Sequence, residues 1–509
     1  MAQSQGQLTA RVAAGILVTR VLGFVRERVF AHYFGNSATA DAFRAALRIP
    51  NAIRNLLGEG TLSASFIPVY AGMLERGETD EARRLAGAVA SWLMLLTALT
   101  AVAGILLAPL VTDIVAPGFD GRTRDLTVRL VEIMFPMFGI IILSAWCLGV
   151  LNTHRRFFLS YAAPSMWNIA QIATLLGLGG VLTGARLAVA LAVGAVVGSV
   201  LQLLVQLPMT LRLVRGFTGS LSLEVAGVRP VVRAWVPVVF GAGVVQLSSI
   251  IDTQLGSWLG AGAVAVLGYA QLLAILPISL FGVSVAAAAL PELSRDAAGA
   301  DSEKLRARLA DGARRLAFFV LPSAFAYVVL GRVIVSTLFE TGQFGRTDSE
   351  VAAGVLAAYA IGLLGQASVK LFASGHYALG DTRTPVRIAA LSVALSAAVG
   401  AFSMRYLGAA GIALGAAAGS YVNVGLLVVR LERRVGTIIG AAARRELVAV
   451  LLGAVAAGLV AATVARTLAA QPTWIACTLG LVGFGTAYGV VTLAAGHPDA
   501  RRLVTALRR

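Results

Sequence analysis

Five arginines near the N-terminus lie in otherwise apolar segments: Arg20, Arg26, Arg44, Arg48 and Arg54. An arginine at the bilayer centre costs at least about 2.5–3.5 kcal/mol on insertion scales, so such a cluster indicates a hydrated cavity with an anionic ligand. The planar guanidinium presents a fork of donors that suits phosphate oxygens. Convergent guanidiniums of this kind predict a clamp for a diphosphate.

The spacing of the first two arginines is compatible with a shared polar face. Arg20 and Arg26 are six positions apart in the sequence, which leaves them about 120° apart around a helix and one to two turns apart along it. The alternative is that Arg26, with Glu27 and Arg28, extends along the helix to the membrane interface. Arg20 has no such neighbours and is the stronger candidate for a ligand contact.

Acidic residues accompany these arginines. Asp41 and Glu59 lie in the same region, and each is expected to orient or neutralise an arginine rather than to act as a general base. Arg54 follows Pro50, and a proline inside an apolar helix frees backbone groups that must be covered by protein or water. The second helical segment is therefore expected to line a wet cavity.

Asp252 is an isolated carboxylate well inside an apolar helix. Two interpretations remain open for it. One is a cation or proton site, which is the default function of an intramembrane carboxylate, and the other is a structural pair with Lys370.

Composition indicates a polytopic membrane protein. The chain has 509 residues, of which 58% are hydrophobic and 13% charged, and its mean hydropathy is +0.82. These values exclude a soluble enzyme and a disordered chain. Several apolar stretches are long enough to cross about 30 Å of hydrocarbon as helices, so the expected fold is all-α with about fourteen transmembrane helices.

The net charge of +17 reflects orientation rather than nucleic-acid binding, because basic residues concentrate in alternate loops. With both termini in the cytoplasm, the loops on the opposite side hold few of them: Arg122, Arg124, Arg186, Arg332, Arg346, Arg405 and Arg466. The remaining loop charges are expected to face anionic lipid headgroups at the inner surface.

Weak sequence similarity between the two halves of the chain predicts two pseudo-symmetric six-helix lobes. Residues 1–220 would form the first lobe, 221–435 the second, and 436–509 two extra helices with a basic cytoplasmic tail. Helices interrupted by Pro50 and Pro277 at matching positions favour duplicated bundles around a central substrate path.

No sequence pattern indicates a catalytic centre, a metal or a cofactor. The four histidines lack paired-ligand spacing, and Cys147 and Cys477 are expected to be buried core thiols. A nucleotide-binding motif is also missing from the sequence. Transport would thus draw on an ion gradient, the membrane potential or the gradient of the substrate.

Several motifs together resemble one family. The runs are RVLGFVRE, DAFRAALRIPNAIRNLLGEGTLSASFIPVY, APGF, LNT, AAPSMWN, SLFGVSVAAAALPELS, LFETGQF and GDTRTPV. They cover nearly the whole chain and are similar to the MurJ (MviN) lipid II flippases of the MOP exporter superfamily. The resemblance implies two six-helix lobes around a cationic cavity, with two C-terminal helices bordering a groove for a lipid tail.

The resemblance also implies a substrate and site residues. The substrate would be lipid II, the undecaprenyl-diphosphate-linked disaccharide pentapeptide of peptidoglycan. The essential cavity arginines of the family map onto Arg20, Arg26 and Arg54, and its acidic positions onto Asp41 and Glu59. Membrane lipids and cell-wall synthesis proteins are the other expected partners, in the bacterial cytoplasmic (inner) membrane.

Two positions depart from the family pattern. Many members carry an arginine in the eighth membrane helix, predicted here near 263–295, where this chain has Gln271. Arg48 or Arg44 would have to replace that diphosphate contact. Some members hold sodium between an acid in the seventh helix, predicted near 230–259, and polar residues in the eleventh and twelfth, predicted near 384–405 and 409–431. Asp252 matches the acid, but the segment 384–405 offers no Asn or Asp, which leaves a coupling cation, sodium or proton, unproven.

Four other functions are alternatives to this one. An exporter of another polyprenyl-linked oligosaccharide would share the cationic cavity, whereas a drug exporter would need an acidic one. A membrane enzyme acting on polyprenyl phosphates would need metal ligands or a nucleophile with a base. A scaffold without transport activity is the remaining alternative.

Overall fold

The structure is a computed structural model. It describes the backbone of residues 5–216, 218–299, 301–438 and 440–507. Side chains are described for these ranges except 5–14, 16, 59, 240–242, 244–245, 441–444 and 506–507. The described ranges are helical and contain no β-strand, which confirms the all-α prediction.

The first compact unit runs to Val264 and includes the short segment Thr341–Gln343. Its helices are α1 (Gln5–Phe34), α2 (Ala38–Leu57), α3 (Glu59–Glu75), α4 (Thr79–Leu106), α5 (Ala108–Val115), α6 (Gly121–Thr153), α7 (Phe157–Ala162), α8 (Pro164–Leu178), α9 (Gly184–Leu213) and α10 (Val228–Ser257). Helix α6 is the core of this unit and packs against α2, α3, α4 and α9. Its buried residues include Leu130, Phe138 and Ile142.

The sequence predicts one helical segment near 38–75, and the structure divides it at Gly58. Pro50 is buried inside α2, and α3 begins after Gly58. A Cβ atom at Gly58 would press against the carbonyl oxygen of Arg54, so this close approach requires glycine. The break places Arg54 in the last turn of α2.

The second compact unit contains Ala265–Glu340 and the chain from Phe344 onward. Its helices are α11 (Ala263–Pro277), which continues through a π-helical turn (Ile278–Gly282) into α12 (Val283–Ala298), then α13 (Ser302–Phe339), α14 (Arg346–Ala378), α15 (Arg383–Leu407), α16 (Ala409–Val435), α17 (Ala441–Thr467), α18 (Thr473–Ala494) and α19 (Pro498–Leu507). Helix α14 packs against α13 and α16, and α17 packs against α13 and α18. Close approach of α14 to α16 depends on Gly362, where a Cβ would lie 2.7 Å from the Cα of Ala417.

Ten helices in the described part of the chain are long and apolar enough to cross a membrane: α4, α6, α9, α11 with α12, α13, α14, α15, α16, α17 and α18. The segments α1, α2 with α3, α7 with α8, and α10 are also helical. A total of fourteen spans therefore stays a prediction.

The compact units do not follow the predicted repeat boundary. The sequence predicts the second lobe at 221–435, and α10, which lies in that range, packs against α2, α3 and α5 in the first unit. Compact units are defined by contacts, whereas the predicted lobes are repeats of topology. The division into two six-helix lobes therefore remains a prediction.

Candidate cationic site

The structure brings two of the N-terminal arginines together around one carboxylate. Glu27 on α1 accepts hydrogen bonds from Arg26 and from Arg44 on α2, with 2.7 Å between the Nη2 atom of Arg44 and Oε2 of Glu27. The side chain of Glu27 is 12% exposed, and those of Arg26 and Arg44 are 19% and 15% exposed. Two guanidiniums therefore share one negative charge, and the cluster has a net charge of +1.

Aromatic rings fix both guanidiniums from the side. Arg26 lies over the ring of Trp167, 4.6 Å from its centroid, and Arg44 lies 5.1 Å from the ring centroid of Phe30. Stacking of this kind adds cation–π attraction and limits the rotation of the planar group. These contacts place Arg26 inside the fold of the first unit, which argues against the alternative of free extension to the membrane interface.

Arg20 and Arg54 differ from this pair in their surroundings. Arg20 is exposed and forms no ion pair with any residue that the structure describes. Arg54 is partly buried, and its carbonyl oxygen accepts the hydrogen bond from the Gly58 amide at 2.7 Å. Arg20 thus has a charge that no protein carboxylate in the described ranges neutralises.

Asp41 has a structural contact. It is fully buried at the start of α2, and its Oδ2 atom accepts a hydrogen bond from the backbone amide of Gly262, after α10. Gly262 has a φ of +90°, and a Cβ there would lie 2.7 Å from the carbonyl oxygen of Asn36. Asp41 therefore holds a turn that requires glycine.

Arg48 connects α2 to α10. Its Nε atom donates to the hydroxyl of Thr253 at 2.7 Å. The neighbouring Asp252 is 8% exposed, and the positive charge of Arg48 attracts its carboxylate. Asp252 looks isolated in the sequence, but the fold supplies a basic residue from 204 positions away along the chain.

Two predicted site residues cannot be placed with these groups. The side chain of Glu59 lies outside the described residues. Gln271 is partly buried in α11 of the second unit. Within the described ranges, no group of three or more His, Cys, Asp or Glu side chains could hold a metal ion.

The GDTRTPV motif forms a charged junction outside the membrane spans. Asp381 lies between α14 and α15, accepts the Thr384 amide at 3.0 Å and pairs with Arg434 at 2.9 Å. The Thr384 amide is the largest cause that lowers the pKa of Asp381, to about 2, and Thr384 Oγ1, Arg434 and His376 add to it. Asp381 therefore joins the ends of α14, α15 and α16.

Comparison with known proteins identifies the family. The family model for the lipid II flippase MurJ matches residues 30–484. The chain belongs to this family. A curated relative, the lipid II flippase MurJ of Burkholderia cenocepacia, is 36% identical over 427 residues, which are 83% of each chain.

Solved structures share the fold. A lipid II flippase MurJ in an inward closed conformation matches with a TM-score of 0.80 at 21% identity, covering 97% of this chain and 99% of the other. An inward-facing multidrug-resistance MATE transporter of the MOP superfamily matches with a TM-score of 0.65 at 16% identity, covering 86% and 99%. The family match and the curated relative, together with the apolar helices, make the protein a multi-pass membrane transporter rather than an enzyme.

Sequence reasoning missed Glu27 and Thr253 as parts of this site. Glu27 carried a visible signal, since it is the acid within the first arginine-bearing helix and lies beside Arg26. Thr253 carried no such signal, because a hydroxyl in an apolar helix usually donates to a backbone carbonyl of the preceding turn. Thr253 also makes this bond, to the carbonyl of Ser249.

Proposed function

We propose that this chain moves lipid II from the cytoplasmic to the periplasmic leaflet and so supplies peptidoglycan synthesis, cell-wall biogenesis and cell shape. The observation that carries this proposal is the match of the lipid II flippase family model to residues 30–484. The arginine cluster of the first unit supports it, because a diphosphate needs positive charge along its path.

In this proposal the substrate diphosphate contacts Arg20, Arg26 and Arg54. Glu27 neutralises one of the two guanidiniums it contacts, so the positioned pair keeps one positive charge for the ligand. Arg20, without a carboxylate partner among the described residues, adds another. Arg48, which already bonds to Thr253, and Gln271 are secondary contacts at most.

The sugars, peptide and polyprenyl tail of the substrate have different requirements for the transport path. The sugars and peptide need a hydrated passage, whereas the polyprenyl tail can stay in the lipid along a groove beside α17 and α18. Alternating access, by rocking of two lobes, would expose the passage to each side in turn. Both termini are proposed to be cytoplasmic, and cell-wall synthesis proteins are proposed partners.

The test is replacement of the host flippase. Bacteria depleted of their own lipid II flippase would express this chain, and growth and periplasmic exposure of lipid II would be measured. Arg20→Ala and Arg54→Ala variants test the site, and Arg186→Ala, at an exposed position outside it, is the matched control. All proteins are compared at equal membrane levels.

Rescue by the wild type and by Arg186→Ala, with loss in the other two variants, is the expected result. A well-inserted wild type that fails to rescue would favour a flippase for another polyprenyl-linked oligosaccharide or a scaffold. Rescue by Arg20→Ala and Arg54→Ala would contradict the arginine clamp while leaving lipid II transport in place.

A further inference from the structure

The second unit contains a cavity that the cationic site does not involve. It has a volume of about 360 Å³ and lies between α13, α14, α16 and α17. Its walls are apolar and include Leu364, Phe372, Val428 and Val450. A hydrocarbon chain is the ligand that such walls favour.

One end of the cavity is polar. His497, Arg314 and Glu446 line it there. His497 lies just beyond α18, Arg314 in the first half of α13 and Glu446 in the first turns of α17. Arg314 contacts both Glu446 and Asp499, so the three elements meet at one end of the cavity. A lipid headgroup is expected at the end of an apolar helix bundle.

His497 is buried with an unused hydrogen-bond donor. It is 2% exposed, and its ring stacks on Phe318 with centroids 4.8 Å apart. Its Nδ1 atom accepts the backbone amide of Asp499 at 3.3 Å, so the proton of the neutral ring is on Nε2. Nε2 has no hydrogen-bond partner among the residues that the structure describes.

A buried donor without a partner costs free energy, so its persistence beside a cavity indicates a ligand with an acceptor oxygen. Burial lowers the pKa of His497, which keeps the ring neutral and Nε2 a single donor. The ring cannot flip to offer the other nitrogen without losing the hydrogen bond from the Asp499 amide.

The charges around this end are mixed. Arg314 pairs with Asp311 at 2.9 Å and with Asp499 at 3.2 Å, while Glu446 lies 3.9 Å away and its side chain is 31% exposed. A ligand with only a negative charge would be repelled by these carboxylates, and one with only a positive charge would be repelled by Arg314. A zwitterionic headgroup would place its anionic group at the guanidinium and its cationic group at Glu446.

We propose that this cavity binds a zwitterionic glycerophospholipid, with one acyl chain along the apolar walls, the phosphate at His497 and Arg314, and the ammonium group at Glu446. The polyprenyl tail of a transport substrate would use the walls but leave the His497 donor unpaired. The site is therefore distinct in chemistry from the arginine cluster, and it does not depend on the proposed function.

The chain offers a matched pair of variants for the apolar part. Gly425 on α16 lines the cavity, and a Cβ there meets no atom within 4 Å, so Gly425→Leu fills the space without a clash. Gly485 on α18 is also exposed with nothing within 4 Å, and Gly485→Leu controls for a leucine on a helix surface. For the polar end, His497→Leu removes the donor and His497→Gln keeps one.

The proposal is tested by native mass spectrometry of the purified full chain. The protein is titrated with phosphatidylethanolamine, phosphatidylglycerol or undecaprenyl phosphate. We expect one tightly retained phosphatidylethanolamine, about tenfold weaker retention in Gly425→Leu and His497→Leu, and near-normal retention in Gly485→Leu and His497→Gln. Equal retention in all variants would overturn the site. Equal or stronger binding of phosphatidylglycerol or undecaprenyl phosphate would overturn the assignment of the headgroup, whereas growth rescue reports separately on lipid II transport.

Discussion

Glu27 controls how much positive charge the first unit offers to a ligand. Without it, Arg26 and Arg44 would be two partly buried guanidiniums whose mutual repulsion is poorly screened. With it, both are held in hydrogen-bonded geometry while a net positive charge remains. We therefore propose that Glu27 positions the two arginines, so that an acid in this cluster is compatible with binding of an anion.

The Glu27→Gln variant tests that role. Glutamine keeps one acceptor oxygen, carries no charge and replaces the second oxygen by an NH2 group. One of the two guanidiniums therefore loses its acceptor, which costs about 1–3 kcal/mol of free energy. We expect roughly tenfold less lipid II exposure in the rescue assay at unchanged membrane levels. Glu75→Gln, at an exposed position at the end of α3, is the control, and an active Glu27→Gln protein would contradict the positioning role.

A different prediction applies to Asp41, because its carboxylate accepts a hydrogen bond from a backbone amide. Asp41→Asn keeps an oxygen for the Gly262 amide. Asp41→Ala leaves that buried donor without a partner, which costs about 1–3 kcal/mol of folding free energy. We expect Asn to keep transport and stability near normal and Ala to lower the thermal unfolding temperature of the purified protein. Loss of transport in a stable Asn variant would show that the carboxylate charge itself is needed.

At the scale of elements, Asp381 joins three helix ends by two kinds of contact. Its hydrogen bond to the Thr384 amide caps the start of α15, and its ion pair with Arg434 connects to the end of α16. Asp381→Asn removes the charge and keeps an acceptor for the amide, while Asp381→Ala removes both contacts. The Ala variant is therefore expected to be the less stable of the two.

The pH dependence of stability follows from the lowered pKa. Asp381 has an ordinary value of 3.8 and a folded value of about 2, so its stabilising contribution is complete above about pH 4 and is lost as the pH falls towards 2. Thermal unfolding in detergent should show a smaller acid-induced loss for Asp381→Ala than for the wild type in this window. Parallel curves for the two proteins would rule out this contribution.

The sequence predicted helices and their apolar spans well, because hydropathy over twenty residues is a local property. Pro50 lies inside α2 as predicted. The division of this segment at Gly58 was missed, because it depends on a close backbone approach that no local pattern displays. The partners of Asp41 and Arg48 lie more than 200 positions away. Such contacts depend on tertiary packing, which one sequence does not encode in any short window.

At the scale of the whole molecule, we propose that the positive charge of the cationic site couples transport to the membrane potential. Each elementary charge moved across 100 mV is worth about 2.3 kcal/mol. In an inside-negative cell we expect the empty site to be drawn towards the cytoplasmic side, and a bound diphosphate would offset the charge and permit the outward step. Arg48 bonds to Thr253 and its charge attracts the neighbouring Asp252 carboxylate, and we propose that this attraction takes the place of a bound sodium.

The proposed role of Arg48 leads to a prediction about sodium. In the rescue strain, replacing external sodium by choline should leave lipid II exposure unchanged, because in this proposal the attraction of Arg48 for Asp252 takes the place of a bound cation. Arg48→Gln is the informative variant: it should gain sodium dependence if Asp252 then requires an external cation. Sodium dependence of the wild type would contradict the internal counter-charge.

The proposed electrical step leads to a prediction about the membrane potential. Collapsing the potential with valinomycin and potassium should reduce lipid II exposure severalfold, since the empty site then loses its drive to return inward. Exposure that is insensitive to the collapsed potential would contradict the electrical step.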